Sequence, residues 1–139
     1  MAHSVGTKSP LVIAHRGASY KAPENTLAAY RLAWKLNSDA IEIDIRKTKD
    51  GFLVCSHDNN LNRISSNRKS ISSMLLSELT EVDVGSWKSK EYKNERMPLL
   101  SKVLSTIPKG KKVFIEIKGA LKEIDELISI VKKSKLKIN

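Results

Sequence analysis

The sequence predicts an α/β protein of the (β/α)8 barrel type, and two features of the chain support this prediction. Short apolar runs that suit β-strands alternate with segments of helical periodicity, as in proteins built on a parallel sheet. Polar residues also cluster near the ends of these runs, and a (β/α)8 barrel builds its site at the C-terminal ends of its strands. The strand-like runs lie at 11–14, 41–45, 52–55 and 113–118, and a further one begins at 136.

Length and composition favour one soluble domain. The chain has 139 residues, enough for a sizeable core, and 40% of them are hydrophobic. No apolar run approaches the roughly 18 residues of a membrane span, and the first residues show no signal peptide. Cys55 is the single cysteine, so no internal disulfide is expected. These features predict a cytoplasmic location.

The net charge of +10 raises the possibility of a nucleic-acid partner. Lysines are spread along the second half of the chain, especially over 109–112 and 132–137, without aromatic residues between them. The sequence shows no recognition helix or RNA-binding motif. We therefore interpret most of this charge as solvated surface and expect no nucleic-acid partner. A milder interpretation is that the charge attracts anionic substrates.

The first strand and helix introduce one polar cluster. The run 11–14 is typical of a buried strand and delivers His15 and Arg16 at its end. Pro23–Thr26 then opens a helix, for which Asn25 is a candidate N-cap. Helical spacing predicts that this helix packs through three side chains in the core, Leu27, Tyr30 and Trp34.

The first part of the segment from Ala40 to Asp58, up to Ile45, alternates apolar and acidic residues with a period of two. A strand there places Ile41, Ile43 and Ile45 on one face and Glu42 and Asp44 on the other. Buried carboxylates of this kind are costly without a compensating cation or donor. A turn at Asp50-Gly51 leaves too little chain for a parallel crossover. The chain then folds back, and His57 is expected beside Glu42.

The remaining segments complete the predicted scaffold. Residues 59–97 are predicted to be an irregular inserted region, with one short helix at 74–79. A short helix follows Pro98, and the next strand carries Phe114, Glu116 and Lys118 on one face. Residues 120–133 predict an amphipathic helix whose apolar stripe contains Leu121, Ile124, Leu127, Ile128 and Val131.

The polar clusters together contain a set of groups that suits metal-assisted phosphate chemistry. Oxygen-rich sites favour Ca²⁺ or Mg²⁺ over softer metals. Arginine and lysine suit a phosphate group, and two histidines can share acid and base roles near neutral pH. Each residue alone has a structural explanation, but the combination at four strand ends favours a site. The candidates are His15, Arg16, Glu42, Asp44, His57, Glu116 and Lys118.

The chain resembles the glycerophosphodiester phosphodiesterase family. The resemblance spans residues 11–119 and rests on the order and spacing of seven motifs. These are His15-Arg16-Gly17, Pro23-Glu24-Asn25-Thr26, Ile41-Glu42-Ile43-Asp44, Thr48-Lys49-Asp50-Gly51, His57-Asp58, Met97-Pro98-Leu99 and Ile115-Glu116-Ile117-Lys118.

The resemblance implies an enzyme that hydrolyses glycerophosphodiesters to glycerol 3-phosphate and an alcohol. It implies that His15 and His57 are the catalytic acid/base pair, and that Arg16 and Lys118 contact the phosphate. Glu42, Asp44 and Glu116 would hold the divalent cation. The inserted region at about 59–97 would cover the barrel mouth and help to select the substrate. The nucleophile, water or a neighbouring glycerol hydroxyl, stays open.

The resemblance also implies that residues 1–139 form only the N-terminal half of a barrel domain, since such a barrel takes roughly 250 residues. A half-barrel exposes strand edges and apolar surface. We therefore expect self-association or a requirement for a complementing C-terminal half. Two alternatives stay open: a truncated, non-catalytic chain that binds phosphate or a partner, and a nucleic-acid-binding module driven by charge.

Overall fold

The computed structural model describes residues 9–119, 124–134 and 136. Within these residues four strands and four α-helices alternate in part, as the sequence predicts. The strands are β1 (Ile13–His15), β2 (Ala40–Lys47), β3 (Leu53–Cys55) and β4 (Lys112–Ile117). The helices are α1 (Leu27–Lys35), α2 (Leu76–Leu79), α3 (Leu100–Leu104) and α4 (Ile124–Lys133), with 3-10 turns at Ile71–Ser73 and Lys90–Tyr92.

Strand β2 is the centre of the sheet. Strands β1 and β4 both pair with it in parallel, and β4 runs alongside it from Ala40 to Ile45. Strand β3 is antiparallel to the end of β2, with Ile45 opposite Cys55. The predicted reversal at Asp50-Gly51 is therefore confirmed. Since Ile45 also pairs with Ile117, β3 and β4 lie on opposite edges of β2.

The alternation predicted for β2 is also confirmed. Ile41, Ile43 and Ile45 have no exposed surface and belong to the main apolar cluster. This cluster includes Tyr30 from α1 and Leu100 from α3, so helices cover this face of the sheet. The opposite face at β2 carries the acidic residues, which places the candidate site on a rigid strand.

Residues 59–97, here called the insert, form a second apolar cluster, whereas the sequence predicted an irregular excursion. Apart from Val54 of β3, the buried residues of this cluster lie in loops, turns and short helices, so they follow neither helical nor strand periodicity. For this reason the prediction missed the core of the insert. The cluster consists of Val54, Leu61, Ile64, Ile71, Met74, Leu79, Val84 and Met97.

The prediction of a buried first strand is wrong. Leu11, Val12 and Ile13 are 52%, 58% and 43% exposed. In the described part of the chain β1 pairs only with β2, so its apolar residues lack the cover of a second neighbouring strand. This strand edge is therefore an apolar surface without a described partner.

Helix α4 confirms the predicted amphipathic segment, but its inward face differs from the predicted stripe. Leu127, Ile130 and Val131 pack against the main cluster, whereas Ile128 is 36% exposed. Leu121 lies outside the described residues, as does most of the strand predicted from 136. No helix of the described residues has the length and apolar character needed to cross a bilayer.

A glycine contact fixes the loop that carries Arg16. Gly17 has φ +77°, and a Cβ there would lie 2.7 Å from the carbonyl carbon of Ala29. Gly110 has a similar φ of +82° but no atom within 4 Å of its Cβ position. Comparison of Gly17 with Gly110 therefore distinguishes the cost of backbone strain from the cost of steric crowding.

We predict that Gly17→Ala lowers the free energy of unfolding by about 2–4 kcal/mol, because strain and overpacking add. Gly110→Ala should cost only about 1 kcal/mol, since it adds strain alone. Urea unfolding of both variants measures the difference. Equal losses would show that the contact with Ala29 has no energetic weight.

Candidate active site

Three carboxylates converge on one face of the sheet. Glu42 and Asp44 lie two positions apart on the same face of β2. The register places Asp44 opposite Glu116 of β4. The register also places His15 of β1 opposite Glu42. One oxygen from each of the three carboxylates lies within 4.8 Å of the others. Parallel pairing thus brings together residues that are more than 70 positions apart in sequence.

Two cationic side chains border these carboxylates. Lys118 Nζ lies 2.7 Å from Glu116 Oε1 and 3.4 Å from Asp44 Oδ1, and Arg16 Nε lies 3.2 Å from Asp44 Oδ2. The Arg16 backbone N–H donates to Glu42 Oε2 at 3.0 Å. The hydrogen bond to Glu116 raises the pKa of Lys118. Lys118 therefore stays charged beside the acidic cluster.

Two of the three carboxylates, Glu42 and Asp44, have oxygens buried in the site. Glu42 Oε1 is buried and accepts no hydrogen bond, and the buried Asp44 Oδ1 has only the ion pair with Lys118 at 3.4 Å. Burial, with the charge of Asp44, raises the pKa of Glu42. A buried carboxylate oxygen that accepts no hydrogen bond, such as Glu42 Oε1, is costly. Hard oxygen ligands suit Ca²⁺ or Mg²⁺. The donor set therefore fits a divalent cation, as the sequence predicted.

Asn25 holds Asp44 and does not cap α1, so the capping prediction is wrong. Thr26 is the N-cap, and its Oγ1 accepts from the Ala29 backbone N–H at 3.2 Å. Asn25 Nδ2 donates to Asp44 Oδ2 at 3.0 Å, and Asn25 Oδ1 accepts from Asp44 N at 3.2 Å and from Tyr30 Oη at 2.8 Å. Asn25 takes φ +54°, a left-handed conformation that asparagine tolerates. Tyr30 thus packs in the main apolar cluster and also donates a hydrogen bond to Asn25 at the site.

We predict that Tyr30→Phe lowers the free energy of unfolding by about 1 kcal/mol, because it removes a buried hydrogen bond. Tyr20→Phe is the matched control, since Tyr20 is 91% exposed. The control should change stability by less than about 0.5 kcal/mol. Urea unfolding of both variants checks the prediction, and a Tyr30 variant as stable as the control would contradict it.

The two histidines occupy different environments. The His15 side chain is 69% exposed, and its Nε2 lies 3.9 Å from Glu42 Oε2. His57 is 32% exposed, and its Nδ1 lies 2.6 Å from Asp58 Oδ1. The chain does return to β2 just before His57, because Ser56 N–H donates to the Asp44 carbonyl at 3.0 Å. The contact that orients the ring is nevertheless Asp58, which the sequence analysis did not single out.

Arg46 connects the segments that follow β3 and β4 by hydrogen bonds. The sequence analysis did not identify this residue. Its Nε donates to the His57 carbonyl at 2.7 Å, and its Nη1 donates to the Lys118 carbonyl at 3.2 Å. Arg46 follows Asp44 by two positions on β2, so the alternation places it on the acidic face. This spacing is the signal that could have found it.

Comparison with solved structures identifies the architecture. The fold matches a phosphodiesterase of Oleispira antarctica, solved with the product sn-glycerol-3-phosphate, at TM-score 0.86 and 35% identity. It matches a glycerophosphodiester phosphodiesterase of Agrobacterium tumefaciens at TM-score 0.85 and 33% identity. The matches cover 92% and 90% of this chain and 54% and 53% of those chains. The described fold is therefore part of a (β/α)8 barrel.

The chain belongs to the glycerophosphoryl diester phosphodiesterase family, whose model matches residues 15–138. A glycerophosphodiester phosphodiesterase of Caldanaerobacter subterraneus is 40% identical over 114 residues. That alignment covers 80% of this chain and 46% of the relative. The chain thus spans about half the length of the curated relatives that it matches.

Proposed function

We propose that this chain carries the catalytic residues for metal-dependent hydrolysis of glycerophosphodiesters to glycerol 3-phosphate and an alcohol. One observation carries the proposal: three carboxylates meet within 4.8 Å beside two cations, Arg16 and Lys118. This arrangement can hold both a divalent cation and an anionic phosphate. Membership of the family supports the same reaction.

The acidic cluster and the cations have distinct roles in this proposal. Glu42, Asp44 and Glu116 would hold Ca²⁺ or Mg²⁺, which when bound supplies Lewis acidity toward a phosphate oxygen. Arg16 and Lys118 contact the phosphate and offset the charge that develops in the transition state. Both already lie at the edge of the cluster, so a phosphate that approaches it meets them directly.

The histidines divide the proton transfers. His15 accepts the proton of the nucleophile as the P–O bond forms, and its exposure leaves room for water or a glycerol hydroxyl. His57, as the imidazolium, donates its Nε2 proton to the leaving alkoxide as the second P–O bond breaks. Since His57 Nδ1 is hydrogen-bonded to Asp58, Nε2 is the nitrogen available for proton transfer. These assignments suit an in-line displacement.

The experiment is an assay with glycerophosphocholine, in which released glycerol 3-phosphate and choline are both quantified. In a preparation that also contains a complementing C-terminal half, we expect equal amounts of the two products with Ca²⁺ or Mg²⁺, and background rates after chelation by EDTA. Metal added back should restore the rate. Activity that is unchanged by chelation would contradict the metal-dependent mechanism.

A second candidate, a chain that needs a partner, is favoured by the exposed apolar surface of the sheet. Leu11, Val12 and Ile13 are exposed along β1, and Phe114 of β4 is 45% exposed. A full barrel has no free strand edges, whereas β1 leaves one edge unpaired among the described residues. We propose that the partner is a second copy or a complementing C-terminal half.

We predict that the isolated chain self-associates or packs poorly, and that its hydrolytic activity is low. A complementary C-terminal half, in cis or in trans, should restore a monodisperse species and metal-dependent hydrolysis. Sedimentation and the chelator-controlled assay test this prediction. A monomer that melts cooperatively and has full activity would contradict it.

We expect a small-molecule substrate and no nucleic-acid partner, and a cytoplasmic location stays a prediction.

A further inference from the structure

We infer that Arg63 of the insert is a positioning residue that orients His57 and Arg16 together. The catalytic roles of His57 and Arg16 rest on the proposed hydrolysis. The contacts of Arg63 do not depend on that proposal. Arg63 bonds to two carboxylates, Asp58 and Glu24, and each of these holds one of the candidate active-site residues.

The first connection leads to His57. Arg63 Nε donates to Asp58 Oδ2 at 3.0 Å, while Asp58 Oδ1 lies 2.6 Å from His57 Nδ1. The hydrogen bond from His57, with the charge of Arg63, lowers the pKa of Asp58. A charged carboxylate only accepts hydrogen bonds, so Nδ1 must carry the proton. The neutral ring is thereby held as the Nδ1–H tautomer, so Nε2 is the nitrogen that takes up the proton that His57 later donates as the acid.

The second connection leads to Arg16. Arg63 Nη1 and Nη2 donate to Glu24 Oε2 and Oε1 at 2.7 and 2.8 Å, and Glu24 Oε1 accepts from Arg16 Nη1 at 3.1 Å. Burial alone would raise the pKa of Glu24, but Arg63 and Arg16 together lower it. Glu24 therefore stays charged at 11% exposure and fixes the guanidinium of Arg16. That guanidinium in turn contacts Asp44.

The position of Arg63 in the insert makes this connection rigid. Its neighbours Leu61 and Ile64 are 0% and 8% exposed and belong to the core of the insert. The Arg63 side chain itself is 44% exposed, and ion pairs at such sites contribute little to stability. A planar fork that contacts two carboxylates at once is better suited to fixing geometry. The insert thus positions groups of the site.

The test measures the tautomer of His57 by nitrogen-15 NMR of the chain labelled at histidine, with magic-angle spinning if the chain self-associates. The variants are Arg63→Ala and Arg63→Lys, in which the lysine keeps the charge but loses the fork. Arg68→Ala is the matched control, because Arg68 is an exposed arginine of the insert without a hydrogen bond or ion pair in the described residues. His15 provides an internal reference, and thermal melts monitor folding.

We expect the wild type to show mainly the Nδ1–H tautomer at His57. Arg63→Ala should shift His57 toward the Nε2–H tautomer, Arg63→Lys should shift it less, and Arg68→Ala should leave it unchanged. If the alanine variant does not fold, the lysine variant decides by the same signal. A His57 tautomer that is unchanged in the folded Arg63 variants overturns the inference.

Kinetics of glycerophosphocholine hydrolysis, in a preparation with measurable wild-type activity, test the consequence. Arg63→Ala should lower kcat and raise KM, because it loosens His57 and Arg16, with a combined loss in kcat/KM of about 10- to 100-fold. An unchanged kcat/KM in this variant contradicts the inference. If the wild type hydrolyses no diester but the tautomer shifts as expected, the proposed function fails while the positioning by Arg63 is supported.

Discussion

Replacement of His57 by alanine is expected to lower kcat for glycerophosphodiester hydrolysis by about 10²- to 10⁴-fold, the range typical of general acid–base catalysis. His57 is the histidine whose ring is held by a carboxylate, at 2.6 Å from Asp58. KM should change less, since Arg16 and Lys118 carry the phosphate contacts in the proposal. Steady-state kinetics with a C-terminal half present separates the two parameters.

Two further variants sharpen this test. His57→Asn keeps an N–H donor for Asp58 but has no nitrogen that can exchange a proton with the substrate, so it should be as impaired as the alanine variant. His15→Ala should lower kcat by about 10²-fold or more. If His15→Ala and His57→Ala both retain nearly the wild-type kcat, the acid–base assignment is wrong.

Replacement of Asp44 by asparagine is expected to reduce hydrolysis to the rate of the chelated wild type, a loss of about 10²-fold or more if the cation stabilises the charge of the transition state. Asp44 is the most buried of the three carboxylates, at 1% side-chain exposure. Arg16 and Lys118 both contact it, so the substitution also removes one of the two carboxylate partners of each cation. Metal titration of the activity measures the loss.

The matched control for Asp44→Asn is Glu91→Gln, which removes one negative charge from an exposed part of the insert. The control should keep the wild-type metal dependence. The raised pKa of Glu42 adds a pH dependence, because a proton competes with the cation for the same carboxylate. Metal affinity should therefore fall as the pH falls through that raised pKa. An Asp44→Asn variant with the wild-type response to metal would contradict the assigned cation site.

Which side chains of β2 are buried, and that the three carboxylates lie close together, could be predicted from sequence because both depend on local rules. A period of two separates Ile41, Ile43 and Ile45 from Glu42 and Asp44, and the structure confirms this separation. The Asp50-Gly51 signal fixed the direction of the return, with Gly51 at φ +93°. Parallel pairing then placed Glu116 opposite Asp44.

The connections between these residues could not be predicted, because they join side chains that are distant in sequence. Glu24 and Arg63 are separated by 39 positions, and no periodicity relates them. Asn25 follows the preferences of an N-cap, yet tertiary contacts with Asp44 and Tyr30 determine its conformation. The core of the insert escaped prediction since its apolar residues follow irregular turns. The exposure of β1 depends on which strands lie beside it, and hydrophobic composition alone does not contain this information.

A calorimetric titration of the chain with Ca²⁺, and separately with Mg²⁺, tests the central claim most directly, because it requires only the acidic cluster. We expect binding of one ion per chain with a dissociation constant of about 10⁻³ M or tighter. Glu42→Gln and Asp44→Asn should each weaken it, whereas Glu91→Gln should not. Absence of binding of either ion to the wild-type chain at millimolar concentrations would contradict the account, since the carboxylates would then have no metal to hold.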